Sequence, residues 1–417
     1  MAKKKKITFV INYFYPDLAS TGQLMTDLCT HLQNEFEITV IASQPGYAGE
    51  KNTKKNKVFE IDYLENIKVV RLHLPAVDKT SKISRMKYIF SYFVLAIIAL
   101  IKEKRTNVIY TISQPPILGG LIGTIGKFLK RSKHIYNIQD FNPEQAAAIS
   151  YTSKESVFKV AVAIDKLNCS YADNIIVVGN DMSETLKKRF IGRKIPKHVV
   201  INNWTDEKEI VPISKSDPNV NGFLKEHDLE NKFIIMYSGN LGLYYDLENL
   251  IKITEHFYEN RDIAFVFVGE GAVKKEMQDF VQKNNVRNVY FLPYQPKEFI
   301  KYSLNAADIH LVVNQKGIKG VSVPSKIYGV MAAGKPILGV LENGSEAQML
   351  IDNSNCGIVL EPQDYTGIIK AIESYYKMDR ETLQQKGLNG RKYLETSLRR
   401  EISINKYKDV LKEVSES

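Results

Sequence analysis

Two glycine-containing turns in the second half of the chain each follow a short apolar run typical of a buried strand. Ser238-Gly239-Asn240 follows residues 233–237, and Gly269-Glu270-Gly271 follows residues 263–268. Such turns let backbone N–H groups approach a phosphate, because glycine has no side chain to hold the ligand away. Together they predict a rim for the diphosphate and ribose of a nucleotide. Neither has the complete dinucleotide fingerprint, which disfavours NAD and FAD.

A third segment, residues 329–335, has the spacing of a P-loop but lacks its chemistry. Pro336 stands where a serine or threonine would bind Mg²⁺. The pattern also predicts a helix followed by a strand, which is the reverse of the P-loop order. An ATPase is therefore disfavoured.

The first half offers a glycine and two acids at comparable positions. Gly22 lies between the first predicted strand and a helical pattern, where it could admit a ligand or serve only the turn. Asp140 follows the predicted strand 134–138 directly, and Glu144 comes shortly after it. A carboxylate at the end of a parallel strand suits proton transfer or substrate orientation, although Asp140 could instead cap a helix. Glu144 is the weaker candidate of the two.

Short β-branched and apolar runs alternate with helix-length segments along the chain, a pattern that predicts parallel sheets. The predicted strands are 7–12, 38–42, 68–72, 108–111, 134–138 and 174–178 in the first half, and 233–237, 263–268, 289–292, 309–313, 336–340 and 356–360 in the second. The set occurs twice, so we predict an α/β protein of two doubly wound, Rossmann-like domains. Ligands bind beyond the carboxyl ends of such strands, which predicts a site in a cleft between facing domains.

The predicted boundaries follow from length and composition, since 417 residues exceed what one compact core usually holds. A linker rich in asparagine, charge and proline spans residues 202–218. We predict a first domain at 1–205, a second at 206–394, and a helical tail at 395–417 that could pack back on the first domain.

Charge is distributed unevenly along the chain. Residues 1–205 carry 30 basic and 17 acidic side chains, a net charge of +13, whereas the whole chain carries +10. The first half should therefore face something anionic. No helix-turn-helix, zinc-finger or RNP-type signature accompanies this charge, so nucleic acid is not a predicted partner. The three cysteines, Cys29, Cys169 and Cys356, form neither a disulfide framework nor a zinc pattern, which favours a reducing compartment.

Residues 82–105 form an apolar, aromatic segment with basic flanks, and no signal peptide is predicted at the start of the chain. The uninterrupted apolar stretch is too short to span a bilayer. Two alternatives remain: a core helix of the first domain, or a helix partly exposed at a membrane interface. In the second case Lys82, Arg85, Lys87 and residues 102–105 would meet anionic headgroups.

The ordered set of motifs resembles family-4 retaining glycosyltransferases of the GT-B fold, in particular the sub-group that builds bacterial surface polysaccharides such as capsule, O-antigen and exopolysaccharide. The resemblance covers nearly the whole chain. The residues that carry it are Tyr15-Pro16 with Gly22, Asp140 to Glu144, Ser238-Gly239-Asn240, Gly269-Glu270-Gly271, Phe291-Leu292-Pro293, Ala306-Ala307-Asp308, Ser322 to Pro336, and Gly344-Ser345-Glu346.

The sequence departs from that family at charged positions. Val321 and Gly329 stand where many members have a pair of glutamates, and Asn240 and Asp246 stand where many have an arginine and a lysine that grip the diphosphate. Lys326 is our replacement cation at the diphosphate, with a solvated helix-start lysine as the alternative.

The resemblance also implies the remaining donor-site residues. Pro324 and Ser325 precede Lys326 in the donor-binding signature, and Ser345 and Glu346 form a Gly-Ser-Glu motif. Glu346 is our candidate for contact with a ribose or sugar hydroxyl, or else an acid in the first turn of a helix. Gln139 stands where many relatives have a histidine, which weakens proton transfer next to Asp140.

The predicted function is transfer of a sugar, with retention, from a nucleotide diphosphate sugar to a lipid-linked or growing surface glycan. UDP is the expected nucleotide and an N-acetylated hexosamine an example of the sugar. The sequence has no Asp-x-Asp motif, so we expect metal-independent catalysis that uses Lys326, and no cofactor besides the substrate. A cytoplasmic protein bound peripherally to the inner face of the cell membrane is expected. The alternatives are a GT-B sugar-nucleotide epimerase and a catalytically silent partner subunit.

Overall fold

The computed structural model describes residues 4–17, 19–45, 57–77, 81–148 and 155–417. The chain divides into two compact units. Residues 1–202 together with 403–417 form the first unit, and residues 203–402 form the second. The chain therefore passes between the units after Asn202 and again after Ile402, where the sequence predicts boundaries at 205 and 394.

The first unit contains an eight-stranded sheet in the order β3-β4-β2-β1-β5-β6-β7-β8. Every neighbouring pair is parallel except β3 and β4, which form an antiparallel hairpin at one edge. The strands are β1 (Lys6–Val10), β2 (Glu37–Ser43), β3 (Phe59–Leu64), β4 (Ile67–Leu72), β5 (Val108–Ile112), β6 (Lys133–Ile138), β7 (Asn174–Val177) and β8 (His198–Val200).

Helices connect these strands and cover the sheet, as parallel pairing requires. They are α1 (Ser20–Leu32), α2 (Lys82–Lys102), α3 (Leu118–Lys130), α4 (Asn142–Ala148), α5 (Glu155–Tyr171) and α6 (Asn180–Arg189). A last helix, α15 (Arg400–Glu416), belongs to the first unit from Ser403 onward. It is held there by Tyr407, whose hydroxyl accepts a hydrogen bond of 3.0 Å from Asn137 on β6.

The second unit contains a six-stranded, all-parallel sheet in the order β11-β10-β9-β12-β13-β14. Its strands are β9 (Phe233–Ser238), β10 (Ile263–Val268), β11 (Val289–Leu292), β12 (Ile309–Val313), β13 (Ile337–Val340) and β14 (Gly357–Leu360). Its helices are α7 (Pro218–Glu226), α8 (Leu247–Leu250), α9 (Lys274–Lys283), α10 (Ile300–Ala306), α11 (Lys326–Ala332), α12 (Glu346–Ser354), α13 (Tyr365–Lys377) and α14 (Arg380–Ser397).

The sequence explains this second sheet directly. All six residues of β10, Ile-Ala-Phe-Val-Phe-Val, are buried, as expected for a strand covered on both faces. Helix starts are set by side-chain caps: Ser345 caps α12, Asp364 caps α13 and Asp379 caps α14.

The predicted α/β fold with two doubly wound sheets is confirmed, and every predicted strand coincides with an observed one to within two residues at either end. Two strands were missed. β3 alternates apolar and polar residues and is the only antiparallel strand among the described residues, so its pattern differs from that of its neighbours. β8 has only three residues, too few to show a period.

Candidate active site

The strand order of the second sheet identifies a binding edge. The chain runs outward from β9 to β10 and β11, and then returns to the other side of β9 for β12, β13 and β14. In open parallel sheets, ligands bind outside the carboxyl ends of the strands at the point where the order reverses. That point lies between β9 and β12, so the turn at Gly239 and the segment from Asn314 to Ser325 flank it.

The two glycine turns pack against each other at this edge. A Cβ atom on Gly269 would lie 2.0 Å from the carbonyl oxygen of Gly239, and a Cβ on Gly271 would lie 2.1 Å from that of Leu241. Gly239 and Gly269 both have φ of +144°, a conformation that favours glycine. Glycine is therefore required here by contact between the turns.

Several backbone N–H groups that the sequence predicts as donors to a phosphate instead donate hydrogen bonds to carbonyl oxygens of the protein. The N–H of Gly239 donates to Val268 over 2.9 Å, that of Leu241 donates to Glu270 over 2.9 Å, and that of Gly269 donates to Leu292 over 2.9 Å. These three amides already have protein acceptors. An anion at this edge must therefore be held largely by other groups.

The Lys326 ammonium group lies beside the first glycine turn. A Cβ atom on Gly239 would stand 3.5 Å from Cε and 3.8 Å from Nζ of Lys326. The ammonium nitrogen lies 3.6 Å from the centre of the Tyr237 ring and 4.3 Å from that of Tyr245. It is shielded from solvent and has no hydrogen-bond acceptor among the described residues.

Two effects act on this ammonium in opposite directions. Burial lowers the pKa of Lys326 well below its ordinary value, because the charged form loses its hydration. The faces of Tyr237 and Tyr245 attract the cation, an interaction of about 2 kcal/mol or more when the pair is desolvated. The result is a buried amino group whose N–H donors have no acceptor among the described residues, and an anionic ligand would both accept those hydrogen bonds and favour the charged form.

Asn240 and Glu270, polar residues of the glycine turns, both have protein partners. Asn240 is exposed, and its carbonyl oxygen accepts a hydrogen bond of 2.7 Å from the Tyr237 hydroxyl. Glu270 is exposed and forms an ion pair of 2.6 Å with Lys274 on α9. Its carboxylate is already balanced by that lysine.

Pro324 and Ser325 form the entry to the seven-residue helix α11. The carbonyl oxygen of Pro324 accepts the N–H of Ile327 over 3.2 Å, and that of Ser325 accepts the N–H of Tyr328 over 3.3 Å. Pro324 is buried. These contacts fix the direction in which the Lys326 side chain leaves the helix.

Ser345 and Glu346 follow β13, the strand beside β12, and so lie at the same edge of the sheet. The Ser345 hydroxyl accepts the N–H of Gln348 over 3.4 Å, and the Gln348 side chain accepts the N–H of Gly344 over 2.9 Å. Ser345 thus caps α12. Glu346 is buried in the first turn of that helix.

In the first unit, Asp140 lies two residues beyond the end of β6, at the carboxyl edge of that sheet. Its N–H donates to the Ser113 hydroxyl over 3.2 Å, and its carboxylate accepts a hydrogen bond of 3.4 Å from Gln145. These contacts anchor the backbone at Asp140 and orient its side chain.

Glu144 belongs to a buried ion-pair network. Both of its oxygens accept hydrogen bonds from Arg189, at 2.8 and 2.5 Å, and Arg189 also donates to Asp165 over 2.6 Å. Burial alone would lower the pKa of Arg189, but its bonds and charge contacts with Glu144 and Asp165 raise it above the ordinary value. We assign Glu144 to charge balance here rather than to proton transfer.

Gly22 lies in the first turn of α1, where it packs against the preceding loop. A Cβ atom there would lie 3.1 Å from both Cβ and the carbonyl oxygen of Tyr13. This close approach accounts for the glycine without a ligand.

Tyr237 and Tyr245, which enclose Lys326, are not predicted as site residues from the sequence. Tyr237 is fully buried at the end of β9, and its sequence pattern is that of a core residue. No cluster of three or more metal-ligating side chains occurs among the described residues.

Residues 223–393, which include every residue of this edge, match the family described as glycosyl transferases group 1. The chain is 25% identical to the probable glycosyltransferase WbjE of Pseudomonas aeruginosa. The alignment spans 406 residues and covers 96% of this chain and 96% of WbjE. It is 23% identical over 378 residues to the putative colanic acid biosynthesis glycosyl transferase WcaI of Escherichia coli K12, covering 88% of this chain and 91% of that protein.

Among solved structures, the chain is similar to Anabaena HepE in complex with UDP and glucose. The TM-score is 0.71 at 14% identity, covering 98% of this chain and 100% of HepE. Two doubly wound units of this kind constitute the GT-B fold. With the match to glycosyl transferases group 1 over residues 223–393, these comparisons identify the chain as a glycosyltransferase of the GT-B fold.

Proposed function

We propose that this glycosyltransferase transfers a sugar from a UDP-sugar, such as a UDP-N-acetylhexosamine, to a lipid-linked or growing surface glycan, with retention and without a metal ion. The observation that carries the donor class is the buried, unpaired ammonium of Lys326 at the strand-order reversal of the second sheet. The similarity to WcaI, described as acting in colanic acid biosynthesis, supports the glycan acceptor. The similarity to HepE with bound UDP supports the nucleotide.

The chemistry places its main demand on the leaving group. As the bond between the anomeric carbon and the diphosphate breaks, negative charge grows on the diphosphate and the sugar becomes oxocarbenium-like. Lys326 can donate up to three hydrogen bonds to the phosphate oxygens and offset that charge. Asp140 is our candidate for orienting the acceptor or accepting its proton, and we assign no covalent nucleophile.

Titration with UDP, GDP and ADP tests the donor class. We expect UDP to bind most tightly, and Lys326→Met to weaken UDP binding and UDP-sugar use at least tenfold. Lys335→Met is the matched control, because Lys335 is a half-buried lysine of the same unit that precedes β13 and so lies at the opposite edge of the sheet. An unchanged UDP affinity in Lys326→Met would remove Lys326 from the diphosphate site.

Incubation of the enzyme with UDP-sugar alone separates transfer from isomerisation. We expect the sugar to remain unchanged without an acceptor. Conversion to an epimer would contradict transfer and favour an epimerase. Failure to bind any of the three nucleotides at millimolar concentration would favour a silent subunit.

The acceptor side of the proposal concerns the surface of the first unit. Helices α2, α3 and α5 pack side by side over the sheet, with α2 against β2 and β4 and α3 against β5 and β6. Large apolar side chains are exposed on all three, and we call this surface the three-helix face. They are Ile83, Met86, Phe90 and Ile101 on α2, Phe128 and Leu129 on α3, and Val157, Val160, Leu167 and Tyr171 on α5.

Helix α2 combines the two predicted alternatives, a core helix and a helix partly exposed at a membrane interface. The sequence predicts an uninterrupted apolar stretch too short to span a bilayer, but helix residues 83–102 are long and apolar enough to cross a membrane by length and composition. Their mean hydropathy is 1.6, and only 22% of that window is buried. Tyr92 and Ala96 nevertheless lie in the core of the first unit. The helix therefore contributes one side to the core and presents the other outward. The side chain of Lys82 lies outside the described residues.

Charge on the three-helix face favours an anionic lipid surface as its partner. Arg85 and Lys87 are exposed beside Met86, and Lys104 and Arg105 are exposed just beyond the end of α2. Each near-surface cation adds about 1 kcal/mol to binding at an anionic membrane. We propose peripheral attachment to the cytoplasmic side of the cell membrane, where a polyprenyl-diphosphate-linked acceptor would be within reach.

Vesicle sedimentation tests this attachment. We expect binding to phosphatidylglycerol-rich vesicles at low salt, little binding to phosphatidylcholine vesicles, and a loss of more than about tenfold in Arg85→Glu/Lys87→Glu. Lys275→Glu/Lys283→Glu on α9 is the matched control for net charge. Equal binding by the two double variants would rule out the three-helix face as the contact.

A further inference from the structure

The Lys326 ammonium is enclosed by aromatic rings. The Tyr237 and Tyr245 rings lie 3.6 and 4.3 Å from Nζ, and their centroids are 6.1 Å apart in an edge-to-face arrangement. Among the described residues the nitrogen has neither a carboxylate within ion-pair distance nor a hydrogen-bond acceptor. A buried cation held only by ring faces needs an explanation, because burial of an isolated charge is unfavourable.

Ring faces differ from carboxylates in what they leave available. A carboxylate partner would take one or two of the ammonium N–H donors and would compete with an incoming diphosphate. A ring attracts the charge through its quadrupole and occupies none of those donors. The aromatic pair therefore keeps the lysine in position without using its hydrogen-bonding capacity.

The two tyrosines come from opposite ends of the first glycine turn. Tyr237 is the penultimate residue of β9, and its hydroxyl donates a hydrogen bond of 2.7 Å to the carbonyl oxygen of Asn240. Tyr245 precedes Asp246, which lies directly before α8 and has φ of +54°. The side toward Gly239 carries no side chain, so it is the side from which a phosphate could approach Nζ.

We propose that Tyr237 and Tyr245 are positioning residues for the donor: they hold the Lys326 ammonium beside the Gly239 turn before the diphosphate arrives. This inference rests on the proposed function, since it assigns the aromatic pair to the same diphosphate site. The pair supplies pre-organisation, because the lysine need not be immobilised when the donor binds.

A double-mutant cycle between Tyr245 and Lys326 tests the inference, with UDP as the probe and NMR titration to reach weak affinities. Tyr245→Leu should weaken UDP binding about fivefold, whereas Tyr245→Phe, which keeps the ring, should restore most of it. In the Lys326→Met background, Tyr245→Leu should change the affinity by less than about twofold, because the cation that the ring holds is gone. Tyr258→Leu, an exposed tyrosine of the same unit, is the matched control.

The outcomes separate this inference from the proposed function. A fivefold effect of Tyr245→Leu that persists in the Lys326→Met background would overturn the positioning role while leaving the diphosphate site intact. A wild-type chain that binds none of UDP, GDP and ADP would overturn both. Thermal unfolding is followed in parallel, and Tyr245→Met replaces the leucine variant if that variant does not fold.

Discussion

Arg189 in the first unit and Lys326 in the second are both cations shielded from water, but their surroundings differ. Arg189 donates to Glu144 and Asp165 and lies 4.2 Å from the centre of the Phe141 ring. Lys326 meets two tyrosine rings and no hydrogen-bond acceptor among the described residues. Both sites offer aromatic contact, so the carboxylates are what distinguish them.

The difference separates a structural charge from one available for binding. A buried cation with two carboxylate partners is satisfied within the fold, and removal of one partner leaves uncompensated charge. A buried cation with ring contacts alone is incomplete until an anion arrives. We infer that Arg189 holds the first unit together and that Lys326 serves the donor.

The largest expected change in the free energy of unfolding comes from replacing Arg189. Arg189→Met should lower the free energy of unfolding by about 3–5 kcal/mol, because Glu144 and Asp165 lose their counter-charge. Urea denaturation measures this, with the exposed Arg193→Met as the matched control. A loss below about 1 kcal/mol would show that the network is not structural and would reopen a catalytic role for Glu144.

The second prediction concerns the stability of the Lys326→Met variant. Lys326→Met should raise the free energy of unfolding by about 1 kcal/mol, because it removes an unpaired charge from a buried position. The same variant should lose UDP-sugar use, so stability and activity would change in opposite directions. If Lys326→Met were destabilised as strongly as Arg189→Met, the contrast between the two cations would fail.

The third prediction, of similar size, concerns His310, a buried group of the second unit whose ring contacts a carbonyl oxygen rather than a carboxylate. Its Nε2 lies 2.9 Å from the Leu304 oxygen, and burial lowers its pKa to about 4. Between pH 6.5 and 4 the unfolded chain binds a proton at this histidine that the folded chain does not. Stability must therefore fall as the pH drops through that window.

Denaturation at two pH values measures this contribution. From pH 6.5 to 5.5, wild type should lose about 1 kcal/mol more stability than His310→Gln. His134, whose pKa burial lowers to about 3, should impose a similar dependence on both proteins and cancel in the difference. Equal pH slopes for the two proteins would mean that His310 titrates in the folded chain as it does in the unfolded chain, so that burial does not lower its pKa.

The sheets could be predicted from the sequence, because strands and helices follow from local patterns, and the prediction is confirmed. The donor site at the edge of the second sheet stays a prediction. Lys326 was identified through a signature that is contiguous in the chain. The glycines at 239, 269 and 271 were identified too, but their contacts with one another were not, because packing between turns depends on strand register.

Contacts between residues that are distant in the chain could not be predicted from the sequence. Glu144 is a candidate catalytic residue in the sequence, but in the folded chain Arg189 donates hydrogen bonds to its carboxylate. Tyr237 and Tyr245 have the sequence pattern of core aromatics, and only the observed contact of their rings with the Lys326 ammonium shows that they enclose a lysine. A local pattern reports which side chains lie near a strand end, but not which long-range partner has already occupied them.

A crystal structure of the protein with bound UDP tests the central claim most directly. The measured quantity is the distance from Lys326 Nζ to the nearest phosphate oxygen. We predict about 2.7–2.9 Å, with the diphosphate beside Gly239. A diphosphate bound away from both Lys326 and Gly239 would contradict the proposed donor site.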